Sequence, residues 1–149
     1  MRTLAFASSL ILTAPTLAGI THTFYLHDYT FSTSPNPEDP APNTITVNAG
    51  DTVQWVWVAK FHSVLQVEGP GLSTPFHSAL SATPGFTFEH TFITPGDYAF
   101  ICEIHGSHPM PGHAMGMWGS VTVVPAPSAA ALLAAAPFTA RRSRRHTNR

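Results

Sequence analysis

The chain has 149 residues with seven lysines and arginines, eight carboxylates and a formal net charge of −1 when histidine is neutral. That length suits one domain, and a single cysteine rules out an internal disulfide. The charges are unevenly spread. From Gly19 to Val124, Lys60 stands alone against Asp28, Glu38, Asp39, Asp51, Glu68, Glu89, Asp97 and Glu103, a net charge of −7. This balance excludes nucleic acid and anionic lipid as partners and favours basic ones.

In chain order, residues 1–18 read as a secretory signal peptide. Arg2 precedes an apolar run from Leu4 to Leu12, and the small residues Thr16 and Ala18 precede Gly19. The run is shorter than the roughly 20 residues a membrane span needs. Residues 19–124 then read as one all-β domain. Short runs rich in β-branched and aromatic residues are broken by Pro and Gly: His22–Phe31, Thr44–Val47, Thr52–Val58, His62–Val67, Phe86–Ile93, Asp97–Cys102 and Trp118–Val123. Alternation predicts Val53, Trp55 and Trp57 on an inward face with Gln54 outward, and sets Phe86, Phe88, His90 and Phe92 on one face likewise. Strands of this number and spacing predict a Greek-key β-sandwich. Ser32–Asn43, rich in Pro, is predicted as a loop. Gly106–Gly116 lacks strand periodicity but holds His108, His113, Met110 and Met115.

Residues 125–149 form a tail: Pro125-Ala126-Pro127, an Ala/Leu run interrupted by Pro137, then Arg141, Arg142, Arg144 and Arg145. Its layout resembles the bacterial Pro-Glu-Pro C-terminal sorting signals, with Ala126 in place of the glutamate. A disordered tail accounts for the same composition. Neither reading gives a stable membrane span.

Cys102 and His105, in the order Cys-Glu-Ile-His at the end of a strand run, can both face one ion. Thiolate and imidazole ligands suit copper, and two histidines with one cysteine and a weak axial methionine make a blue-copper set. His62 is the best second histidine, because the short loop Ala59–Phe61 after the strand 52–58 can deliver it to the same end of the sandwich. His108 and His113 stay open as ligands of this ion or of a second, looser one. His22, His27, His77, His90 and His146 are expected to stand apart.

These motifs carry a resemblance to plastocyanin-like cupredoxins that runs from about His22 to Val123. TITVNAGDTVQWVW followed by FHSV resembles the family's strand leading to its first histidine ligand. Phe92 to His105 resembles its Phe-x-x-Pro-Gly-x-Tyr-x-x-x-Cys-x-x-His segment, and MWGSVTV its closing Met-x-Gly-x-Val-x-Val strand. The resemblance implies one type 1 copper ion held by His62, Cys102, His105 and a methionine. Met110 has the family's usual spacing, five positions after His105, whereas Met117 lies twelve positions on but opens the matching strand. Strand register favours Met117, and residues 106–116 then become a long loop over the copper. Ser63 stands where many relatives have Asn bracing the cysteine loop, and its hydroxyl can hydrogen-bond across.

The implied function is one-electron transfer by an exported, periplasmic or cell-surface monomer. His105 would be the electron port, within an apolar patch drawn from Ile104, Pro109, Pro111 and Trp118, and the redox partners would carry basic docking surfaces. Copper carriage or storage by the His/Met-rich loop 105–117 is the rival reading, and a non-redox module on the same scaffold is a third. Catalysis is not expected: there is one domain, no His-x-His pair, and only one cysteine for a binuclear copper centre.

Overall fold

In a computed structural model, described here for residues 19–39 and 41–127, every regular element is a strand. Eight strands run β1 (Thr21–His27), β2 (Thr30–Ser32), β3 (Thr44–Asn48), β4 (Thr52–Trp57), β5 (Leu65–Glu68), β6 (Thr87–Thr91), β7 (Gly96–Ser107) and β8 (Met115–Val124). They form two four-stranded sheets, ordered β2-β1-β4-β6 and β3-β8-β7-β5. The pairs β1–β4 and β3–β8 are parallel and the others antiparallel. This is the expected all-β sandwich. The signal-peptide reading of residues 1–18, and most of the tail reading, fall outside the described residues. Among those described, no helix is long and apolar enough to cross a membrane.

Alternation places the core as the sequence predicts. Val53, Trp55 and Trp57 are buried, while Gln54 points out and donates to Glu89 on β6 at 2.6 Å. Phe100 on β7 meets the rings of Phe24, Phe31 and Trp55 edge-on at centroid distances of 5.4, 4.9 and 5.3 Å, and so joins the two sheets. Large aromatics at this junction bury much apolar area per residue, and edge-on packing adds to it.

Three expectations are revised. The first run is two strands, folded back at Asp28–Tyr29 so that His27 pairs with Thr30. His62 lies outside β5, in an isolated bridge to Ser81. The region after Cys102 is a hairpin extension: β7 continues to Ser107, β8 begins at Met115, and Gly106 pairs with Gly116. A period-two reading misses this pairing because glycine gives it no apolar face to mark.

Asp51 fixes the edge from which β1 and β4 run side by side. Its carboxylate is buried and accepts from the Ile20 N–H (2.8 Å), the Asn48 N–H (2.9 Å) and the His22 imidazole (3.1 Å). Burial pushes its pKa up, but these donors outweigh that effect and hold it below the usual carboxylate value. Its contribution is therefore complete above the unfolded-state pKa and is lost as pH falls through the native one. Asp51→Ala is expected to lower unfolding free energy in urea by about 1–3 kcal/mol at neutral pH. The gap from native should close below about pH 4.

Candidate metal centre

Three segments converge at one end of the sandwich. β4 delivers Trp57, whose indole Nε1 donates to the His62 carbonyl at 2.8 Å and so ties down the turn between them. His62 and Ser81 exchange backbone hydrogen bonds of 3.1 and 2.9 Å, and the Ser78 hydroxyl accepts from the Val64 N–H at 2.8 Å. Ser63, fully buried, accepts the Glu103 N–H on its hydroxyl at 3.1 Å. This is the cross-brace anticipated for that serine, and it links the first histidine directly to the cysteine segment.

Within this frame, Cys102 Sγ lies 3.8 Å from His62 Nδ1 and 3.6 Å from His105 Nδ1, and the two nitrogens are 3.2 Å apart. A point equidistant from all three atoms is about 2 Å from each, close to the length of metal–imidazole and metal–thiolate bonds. Among the described residues, this is the group of three His, Cys, Asp or Glu side chains placed to hold one ion. Cys102 and His62 are buried and His105 is half-buried. Burial, followed by the neighbouring His105, holds the His62 imidazole below its usual pKa. The neutral ring, the form that ligates metal, is favoured. His62 Nε2 is buried without a partner, so packing and backbone ties orient this ring.

The methionines separate by burial. Met117 is 1% exposed and shares the core cluster with Cys102, whereas Met110 and Met115 are 56% and 58% exposed. The loop between the strand ends is tied back rather than spread over the metal end. Glu68 accepts from His108 Nε2 at 2.6 Å and from the Gly112 N–H. Gly112 and Ala114 lie beside Asp97, Tyr98 and Ala99 on the outer side of the second sheet. Trp118 lines that same hollow, away from the patch expected around His105.

A cleft of about 480 Å³ beside the histidines is lined instead by Asp28, Tyr29, Val58, Ala59, Lys60, Phe61 and Pro84. Tyr29 enters it from the turn between β1 and β2, where the sequence predicted one continuous strand run.

The other histidines of the described domain stand apart from the three donors, and His113 is exposed. His22 pairs with Asp51, His27 with the Ser34 carbonyl, His77 with Glu103, and His90 packs between Phe76 and Phe92. The Glu68 bonds were invisible in the sequence, since they join segments that no motif links.

A two-sheet Greek-key sandwich with a thiolate and two imidazoles at one end defines a mononuclear soft-metal protein. The family described as copper binding proteins, plastocyanin/azurin family, matches residues 40–124, and the chain belongs to it. The chain is 34% identical over 82 residues to halocyanin from Natronomonas pharaonis, a match covering 55% of this chain and 46% of that protein. It is 32% identical over 88 residues to plastocyanin from Scenedesmus fuscus, covering 55% and 83%. The chain therefore spans less than half the length of the halocyanin.

Among solved structures, a copper-containing nitrite reductase from Thermus scotoductus superposes with a TM-score of 0.51 at 21% identity, covering 80% of this chain and 25% of that one. A reduced amicyanin variant superposes with a TM-score of 0.50 at 22% identity, covering 71% and 82%. These likenesses establish the cupredoxin sandwich fold. The donor set, the spacing of its atoms and the family together fit one copper ion.

Two glycines let the hairpin close against the site. A Cβ at Gly116 (φ 70°) would lie 2.4 Å from the His105 carbonyl oxygen, and one at Gly106 would lie 2.5 Å from that of Met117. Gly112 (φ 76°) has open space around it. Gly112→Ala should thus cost backbone strain alone, about 1 kcal/mol in urea unfolding. Gly116→Ala should cost at least about 2 kcal/mol and weaken copper binding, because backbone at His105 must move as well.

Proposed function

We propose that this chain is an exported electron carrier in which His62, Cys102, His105 and Met117 hold one copper ion, and that it is not an enzyme. The convergence of Cys102 Sγ with the Nδ1 atoms of His62 and His105 carries this reading. Bound there, copper supplies a one-electron Cu(I)/Cu(II) couple. The chain's own residues contribute a fixed, largely dry ligand shell. Trp57 and Ser81 hold His62, while Ser63 braces the cysteine segment, which limits rearrangement between oxidation states. Met117 is favoured as the axial ligand because it is buried in the core cluster that includes Cys102, and Met110 is exposed. His105, the less buried histidine, is the electron port.

Residues 1–18 serve as the signal peptide, 19–124 as the functional domain, and 125–149 as a sorting signal or disordered tail. The −7 balance of residues 19–124 fits a monomer that meets basic redox partners. A carriage reading has one supporting observation: Met110 and Met115 expose thioethers suited to Cu(I).

Adding one equivalent of Cu(II) to the full chain should give intense copper–thiolate absorption in the visible and narrow copper hyperfine splitting in EPR. Cys102→Ser should abolish both, and a pale, ordinary copper spectrum from the native chain would overturn the assignment. A titration with Cu(I) separates the readings, because equivalents bound beyond the first favour carriage. For the axial ligand, Met117→Leu should alter the EPR parameters and the reduction potential, whereas Met110→Leu should leave both unchanged. The reverse pattern would give the role to Met110.

A further inference from the structure

Among the described residues, two that are not glycine hold a left-handed backbone: Tyr29 (φ 61°) and Phe61 (φ 60°). Both are bulky aromatics, for which this conformation is strained. Both are exposed, at 71% and 56%, so core burial does not explain them. Glycine or asparagine would hold either turn with less strain. Both also line the cleft that holds His62 and His105.

Tyr29 makes the more specific contact. Its ring stands edge-on to the His105 imidazole, with centroids 4.9 Å apart and planes at 73°. The turn that presents it is firmly anchored. Its flanking residues pair as His27–Thr30 and Leu26–Phe31, Leu26 and Phe31 are fully buried, and His27 Nε2 bonds the Ser34 carbonyl at 3.0 Å. A ring held this way fixes one side of the imidazole and carries its contact out to solvent. The strain is then the cost of placing an aromatic group at this spot.

We propose that Tyr29 is a positioning residue of the electron exit: its ring, set edge-on against His105 by the strained β1–β2 turn, orients that imidazole and forms the outermost surface a redox partner touches. The proposal rests on the reading of His105 as copper ligand and electron port. One electron passes outward through His105 to a one-electron acceptor and returns by the same route on reduction, with no atom transferred. Exchange between Cu(I) and Cu(II) copies of the chain itself balances this step without a further reagent.

The test compares the copper-loaded native chain with Tyr29→Phe and Tyr29→Asn, measuring self-exchange by NMR line broadening at high salt, where repulsion between acidic copies is screened. Visible and EPR spectra are recorded alongside. Asparagine tolerates the left-handed turn but removes the ring. Tyr29→Asn should keep the thiolate absorption, shift the EPR parameters slightly, and slow self-exchange by at least about tenfold, the scale of losing an aromatic contact hot spot. Tyr29→Phe, which keeps the ring, should match the native chain. A Tyr29→Asn rate indistinguishable from native, or a Tyr29→Phe rate as slow as Tyr29→Asn, overturns the proposal. A native chain without thiolate absorption overturns the underlying metal-site reading instead, and is recognised before any variant is compared.

Discussion

The geometry of the metal centre depends on an irregularity in β7. Cys102 and His105 are three residues apart, and on an uninterrupted strand an odd spacing sends side chains to opposite faces. The pairing with β8 breaks between Ile101, which faces Trp118, and Gly106, which faces Gly116. In that interval the strand slips out of its ladder and turns both donor atoms to one point, 3.6 Å apart. Such breaks in register are a common way to aim a side chain near a functional site. Closure of the hairpin beyond it needs glycine at 106 and 116, because a Cβ at either would strike a carbonyl oxygen across the pair.

His62 answers to a different constraint. It stands outside any strand, held by the Trp57 indole, the Ser81 backbone and its neighbour Ser63. Through the Ser63–Glu103 bond the position of the first histidine is referred to the cysteine segment. Burial disfavours the protonated imidazole and leaves it ready to bind metal. The cost is a ring nitrogen, Nε2, without a partner.

Much of this was legible in the chain. Period-two alternation placed Trp55 and Trp57 inside and Gln54 outside because one face of β4 is buried, a condition under which alternation is strongly enforced. The Cys-x-x-His spacing and a histidine after a strand were enough to pick out the three converging donors. What stayed hidden was long-range or glycine-borne. Glu68 tying down His108 and Gly112 joins residues 40 or more positions apart, and nothing local announces it. That tie holds His108 and Gly112 at the end of β5, and Gly112 and Ala114 lie beside Asp97, Tyr98 and Ala99. The Gly106–Gly116 pairing escaped because a strand is read from its side chains, and these residues have none. Tyr29 escaped because its role comes from a turn conformation that its residue type does not ordinarily favour.

The spacing of the donor residues along the chain also has a bearing on the order of assembly. Cys102 and His105 are neighbours even in the unfolded polypeptide, whereas His62 comes 40 residues earlier and joins them only once the frame of β4, β5 and β7 exists. Sheets built on the parallel pairs β1–β4 and β3–β8 rely on distant contacts, which form slowly. Copper arriving early would therefore find a thiolate and one imidazole, and could recruit any of the remaining histidines or methionines as substitutes. A nascent chain is best served by meeting its metal late, after the sandwich has closed and left only the native partners within reach.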